Sequence, residues 1–172
     1  MTKKKLEPLV AIVMGSDSDL PIMTETAKTL GVLDVPYEIE ITSAHRSPKR
    51  TTEYARTAAS RGLRVIVAGA GGAFHLAGVI AAETTLPVIG VPIGSSPLGG
   101  WDALVAAVQM PGGVPVALMA VGKAGAVNAA VFAAQILSTA DPELVQRLVE
   151  FKERMAADVV EKSARMKREF GL

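Results

Sequence analysis

The chain contains only two histidines, His45 and His75, and each lies in a short segment whose other residues also suit ligand chemistry. In Ser43-Ala44-His45-Arg46-Ser47 an imidazole, a group that ordinarily titrates near neutrality and serves as both acid and base, stands beside a guanidinium. Arg46 is a forked, permanently charged donor suited to phosphate, and Ser43 and Ser47 flank the pair with hydroxyls. Gly15-Ser16-Asp17-Ser18-Asp19 opens a helix, where free backbone N–H groups and the helix dipole favour an anion. Ser16 and Ser18 add donors there. The aspartates do not suit an anion, so Asp19 serves either sugar hydroxyls or the helix cap, and Asp17-x-Asp19 is a conceivable Mg²⁺ pair. Gly71-Gly72-Ala73-Phe74-His75 lets backbone approach a ligand closely. Its histidine is either a ligand contact or simply a helix-start residue.

Several other chemistries are excluded. With no cysteine there is no disulfide, thiolate metal site or cysteine nucleophile. The run from Gly69 fails as a dinucleotide fingerprint because Phe74 occupies the sixth position, where glycine or alanine belongs, and no acidic residue follows at the required distance. Gly122-Lys123-Ala124 lacks the first glycine and the hydroxyl residue of a P-loop, and no G-x-S-x-G elbow exists. A pocket of this polar composition requires no metal, so the site is read as metal-free.

These segments must be positioned by the elements around them. Apolar β-rich runs at Leu9 to Met14, Tyr37 to Thr42, Val65 to Ala70, Val88 to Val91 and Val116 to Val121 alternate with helical patterns, as in a three-layer parallel α/β fold. Most are continuously apolar, as strands buried on both faces should be. Asp19-Leu20-Pro21, Ser47-Pro48 and Asp141-Pro142 mark helix starts, and Gly31 and Gly62 mark the expected ends of the first two helices. Five such strands suggest the flavodoxin-like order 2-1-3-4-5, with ligands held beyond the carboxyl ends at the switch point beside strand 1. That order brings together the three loops after strands 1, 2 and 3, which are the three segments singled out above.

Charge is distributed unevenly. The net charge of +1 gives no field to hold nucleic acid or an anionic membrane. Between Val65 and Ala140 only Glu83, Asp102 and Lys123 are charged, yet 12 glycines and five prolines interrupt that stretch, so it holds no run of about 20 apolar residues able to span a membrane. Its apolar surface therefore calls for other copies of the chain. From Pro142 to Phe170, Leu144, Leu148, Phe151, Met155 and Val159 form one stripe on a charged helix, expected to pack on a neighbouring subunit. Residues 1–140 are read as the catalytic domain and 141–172 as its helical extension. Lys3-Lys4-Lys5 followed by six apolar residues is too short for a signal peptide, and the protein is read as cytoplasmic.

Taken together, Met14 to Asp19, Ser43 to Pro48, Ala68 to Leu76, Leu86 to Pro92, Val108 to Val116 and Lys123 to Ala130 closely resemble the PurE family of purine biosynthesis. The resemblance runs in order from about Val10 to Leu137. It implies a flavodoxin-like subunit in a homo-octamer, no metal or organic cofactor, and the reaction of 5-(carboxyamino)imidazole ribonucleotide mutase. In that reaction the carboxylate on the exocyclic nitrogen moves to ring carbon C4. By matching position, Ser16, Asp19 and Arg46 would bind the nucleotide, with Ser18 and Ser43 near its phosphate and Asp19 near its ribose. His45 would be the proton shuttle, and Gly71 and Gly72 would close over CO₂.

A second class of the same family carboxylates aminoimidazole ribonucleotide directly. His75 favours the mutase class, whose third loop resembles Gly-Gly-Ala-x-His-Leu; Phe74 and Ala77 stand where that pattern usually carries alanine and proline. Two non-enzyme readings are weaker. A phosphoacceptor receiver needs an aspartate at the end of strand 3, where this chain has Ala70-Gly71-Gly72, and a generic nucleotide-binding module leaves His45 unexplained.

Overall fold

Residues 7–172 are described by a computed structural model; Lys3-Lys4-Lys5 lie outside the described residues. Five parallel strands form one sheet: β1 (Val10–Met14), β2 (Tyr37–Ile41), β3 (Val65–Gly71), β4 (Val88–Ile93) and β5 (Ala117–Leu118), in the order β2-β1-β3-β4-β5. Six helices follow: α1 (Leu20–Val32), α2 (Pro48–Ala58), α3 (His75–Glu83), α4 (Trp101–Val108), α5 (Lys123–Ser138) and α6 (Pro142–Glu169). The expected flavodoxin-like α/β architecture is thus present.

The continuous apolar runs of β1, β3 and β4 are explained by burial on both faces. Val10, Ile12 and Met14 join Met23 and Leu30 of α1, the alanines of α5, and Leu144 and Leu148 of α6. Ala11 and Val13 face the other way, with Ala55 of α2, Ile80 of α3 and Ala103 of α4. Alternate residues of a strand thereby serve alternate cores. The wholly buried alanines at 126, 129, 130, 133 and 134 let α5 lie close on the sheet, which accounts for part of the charge-poor stretch.

Two local features differ from the sequence expectation. First, β5 pairs over only two residues rather than from Val116 to Val121. Pro92 in the adjoining β4 has no N–H to donate, so although its carbonyl accepts from Gly122 N at 2.8 Å, the ladder cannot continue past it. Second, α1 runs through Gly31 to Val32, and the left-handed residue behind it is Asp34 at φ 54. Gly62, in contrast, does end the α2 segment in the left-handed region at φ 93. The edge strand β2, whose sequence alternates, alternates in burial as well. Glu38 and Glu40 receive Arg61 and Arg50 on one face, while Tyr37, Ile39 and Ile41 are 38–45% exposed on the other.

Asp141 caps α6, its Oδ1 accepting from the N–H groups of Glu143 and Leu144. The first half of α6 packs through Leu144, Leu148 and Phe151. Beyond it the helix leaves the body, and Met155, Val159, Val160 and Met166 are all exposed. Among the described residues no helix is long and apolar enough to cross a membrane.

Candidate active site

A cleft of about 450 Å³ opens beyond the carboxyl ends of β1, β2 and β3. Its lining contains Ser16, Ser18 and Asp19 from the loop after β1, Ser43, His45 and Arg46 from that after β2, and Gly71, Gly72 and His75 from that after β3, while Asp17 and Ser47 line an adjoining groove. The topology explains the convergence, because β1 lies between β2 and β3 and the three chains leave the same edge of the sheet.

Each loop is held by its own hydrogen bonds. Ser16 caps the short 3₁₀ turn Asp17–Asp19, its Oγ accepting from Ser18 N at 3.3 Å. Asp17 accepts from Ser16 Oγ and lines only an adjoining groove. In the second loop Ser47 does not cap α2; its hydroxyl instead bonds both the N–H and the carbonyl of Ser43. Below it Thr42 and Thr51 share a buried hydroxyl pair at 2.8 Å, which anchors the loop to α2. Arg46 reaches across to the first loop, donating from Nη2 to Gly15 O at 2.7 Å.

Asp19 is buried, with 6% exposure, yet its carboxylate makes no helix-capping bond. The plain cap is therefore not its structural role, and the group is free to accept hydrogen bonds from a ligand. Burial pushes its pKa above the ordinary carboxylate range; the Ser16 backbone hydrogen bond and the nearby Arg46 charge act in the opposite direction without cancelling it.

Across the cleft, His45 Nε2 lies 2.6 Å from His75 Nδ1, the rings meeting edge to face at 87°. The loop after β4, rich in glycine, serine and proline, contributes Ser95 and Ser96 to the lining. Ser95 Oγ lies so close over Gly71 that a Cβ there would stand 1.9 Å from it, so Gly71 is needed for close approach. The pairing of β4 with β3 was the signal that could have located these serines.

An adjoining groove of about 360 Å³ shares Gly15, Ser16, Ser43 and Arg46 with the cleft and adds Ser47 and Arg50. The site thus joins a cationic, hydroxyl-rich groove suited to an anion to a cleft that holds a buried carboxylate and two imidazoles. Among the described residues no three His, Asp or Glu side chains gather as a metal site requires.

Residues 9–158 match the family described as AIR carboxylase. The chain belongs to that family. It is 55% identical to the N5-carboxyaminoimidazole ribonucleotide mutase of Bacillus subtilis, covering 92% of this chain and 98% of that one. It is 53% identical to the mutase of the same name from Thermotoga maritima, over 92% of each. Among solved structures, Treponema denticola PurE superposes with a TM-score of 0.81 at 28% identity, covering 93% of this chain and 99% of that one.

Proposed function

We propose that the cleft performs the N5-carboxyaminoimidazole ribonucleotide mutase reaction with His45 as the only proton-transferring group. The observation that supports this most is that an accessible imidazole pair shares one cleft, large enough for a mononucleotide, with Arg46 and the Ser16, Ser18 and Ser43 hydroxyls. Arg46, with the Ser16, Ser18 and Ser43 hydroxyls, takes the 5′-phosphate. Asp19 takes the ribose hydroxyls, since its carboxylate holds no helix cap and has acceptor capacity left for them.

The reaction needs one proton in and one proton out. Protonated His45 delivers a proton to the exocyclic nitrogen as the N–C bond to the carboxylate breaks, giving CO₂ and an amine. Ring carbon C4 then bonds to the carbon of CO₂, and His45, now neutral, removes the C4 hydrogen. The imidazole ends as it began, and the net change is an isomerisation. Between the steps CO₂ must be retained. Gly71 and Gly72 present backbone rather than side chains beside His75, and we assign them to covering it, with exclusion of water as the result.

The direct carboxylase reading is less well supported, since the third loop carries His75 in contact with His45 and the Bacillus subtilis and Thermotoga maritima relatives are named as mutases. Offering the protein each substrate separately tests the choice. The carboxyamino nucleotide should be converted without added bicarbonate. Efficient use of aminoimidazole ribonucleotide at low bicarbonate, with no use of the first substrate, would overturn the mutase assignment.

The same proposal includes assembly. The exposed apolar residues of α6, of β2 and of α4, among them Trp101 at 66% and Val108 at 57%, are too many for a free monomer surface and fit contacts between copies in a homo-octamer, with the tail helix on a neighbour. A cytoplasmic location follows from a phosphorylated substrate, which does not cross membranes unaided.

A further inference from the structure

The loop after β4 brings two adjacent serines to the cleft, and their hydroxyls are used differently. Ser96 holds the loop itself. Its Oγ donates to Asp102 Oδ1 at 2.9 Å and accepts from Leu98 N at 3.2 Å, and its carbonyl accepts from Gly99 N at 3.0 Å. None of the bonds that hold this loop involves the side chain of Ser95, which is exposed and lines the cleft.

The position of Ser95 is nevertheless specific. Gly71 at the end of β3 pairs with Ile93 at the end of β4, and just beyond Ile93 the Ser95 hydroxyl lies over Gly71. A Cβ on that glycine would stand 1.9 Å from Ser95 Oγ, so the hydroxyl takes the space that a side chain there would fill. Gly71 O in turn accepts from Phe74 N at 3.1 Å, closing the turn from which His75 starts α3. The Ser95 hydroxyl thus stands at the root of the glycine turn, in the same cleft as His45 and His75.

The groove in which Arg46, Ser47 and Arg50 gather is not lined by Ser95, which separates this hydroxyl from the cationic surface suited to a phosphate. Beside Gly71 and Gly72 the group in need of a donor is the one being transferred: a carboxylate on nitrogen, then CO₂, then a carboxylate on C4. A hydroxyl is a donor without charge and serves all three states. A cation would favour the two carboxylates over CO₂.

We propose that Ser95 is a further substrate-contacting residue, its hydroxyl donating to an oxygen of the migrating carboxyl group and holding CO₂ near C4 between the two steps. This rests on the mutase reaction assigned above. It adds a polar tether to the backbone cover given to Gly71 and Gly72.

The test compares the wild type with Ser95→Ala and Ser95→Thr. Product formed and aminoimidazole ribonucleotide released are both measured from the carboxyamino nucleotide, with the enzyme-free decay of that substrate subtracted. Ser95→Ala should lower kcat/KM about 10-fold, as expected for loss of a hydrogen bond to a charged group, and should raise the ratio of released nucleotide to product by a similar factor. Its calorimetric affinity for aminoimidazole ribonucleotide, which has no carboxyl group, should stay within about twofold of wild type. Ser95→Thr keeps the hydroxyl and should restore both kinetic readouts. Since the hydroxyl holds no bond of the loop, Ser95→Ala should melt as the wild type does. Wild-type kcat/KM and release ratio in Ser95→Ala overturn the proposal. An equal loss of affinity for aminoimidazole ribonucleotide also overturns it, because the hydroxyl then serves the ribose or the phosphate. A wild type that leaves the carboxyamino nucleotide unconverted removes the assigned reaction and this proposal with it, a result read before any variant is compared.

Discussion

At the scale of single residues, the account places all proton chemistry on His45 and all nucleotide binding elsewhere. His45→Asn should therefore reduce turnover by roughly 10²- to 10⁴-fold while a calorimetric titration still shows nucleotide binding; lost binding with a normal residual rate would contradict the assignment. Asp19 makes the opposite prediction. Burial raises its pKa in the folded state, so the folded protein holds that proton more tightly than the unfolded chain does. The resulting stabilisation is present below the ordinary carboxylate range and is lost as pH rises through the folded value, leaving ionised Asp19 a net cost at neutral pH. Asp19→Asn should melt no earlier than wild type at pH 7, yet bind the nucleotide about 10-fold or more weakly, the loss expected for a hydrogen bond to a charged group. The site was legible in the sequence to this extent because its residues lie in three short loops of unusual chemistry. Ser95 and Ser96 were not legible, because their loop has no titratable group and only the strand order brings it beside Gly71. The His45–His75 contact joins residues 30 positions apart, a distance across which periodicity carries no information.

At the scale of elements, the edge strand β2 is fastened to α2 through a small polar cluster. Glu38 accepts from Tyr54 Oη and from Arg61 Nη1, each at 2.6 Å, and the Arg61 guanidinium stacks 4.5 Å from the Tyr54 ring centroid. Burial opposes ionisation of Glu38, but the Tyr54 and Arg61 hydrogen bonds outweigh it and hold its pKa below the usual range. Its contribution to stability is present above the unfolded carboxylate pKa and is lost as pH falls through the folded value. Tyr54→Phe should cost about 1–2 kcal/mol in urea unfolding at pH 7, and the difference should shrink as the medium is acidified below pH 4. Gly71→Ala acts at the carboxyl end of the central strand β3. Its Cβ would overlap Ser95 Oγ and come within 3.1 Å of Ile93 O, so the loop after β4 must move, and activity should fall more than stability does. Element types and strand order were readable because β1, β3 and β4 are buried on both faces and the helix starts carry proline. The end of β5 was not readable from its own residues, because it is decided by the missing N–H of Pro92 on the neighbouring strand. Gly31 does not stop α1, which runs one residue further to Val32, and the left-handed residue beyond it is Asp34.

At the scale of the whole molecule, the charge-poor stretch divides into two parts. One part is interior, the α5 alanines and the residues of β3 and β4; the other is the exposed apolar surface of α4. Together with the projecting half of α6, that surface predicts an assembly whose loss is separable from unfolding. Val159→Asp combined with Val160→Asp changes positions that are 66% and 69% exposed, so the subunit should keep its helical content while sedimentation shows smaller species with reduced activity. Retention of full mass and activity would remove α6 from the interface. The central claim, however, is that the carboxylate leaves nitrogen and is recaptured at C4 inside one closed cleft. Conversion of substrate labelled with ¹³C in the carboxylate, run in unlabelled bicarbonate and read by mass spectrometry of the product, tests it most directly. The account predicts that the label is retained in the 4-carboxylate; product carrying the unlabelled carbon of the surrounding bicarbonate would contradict it.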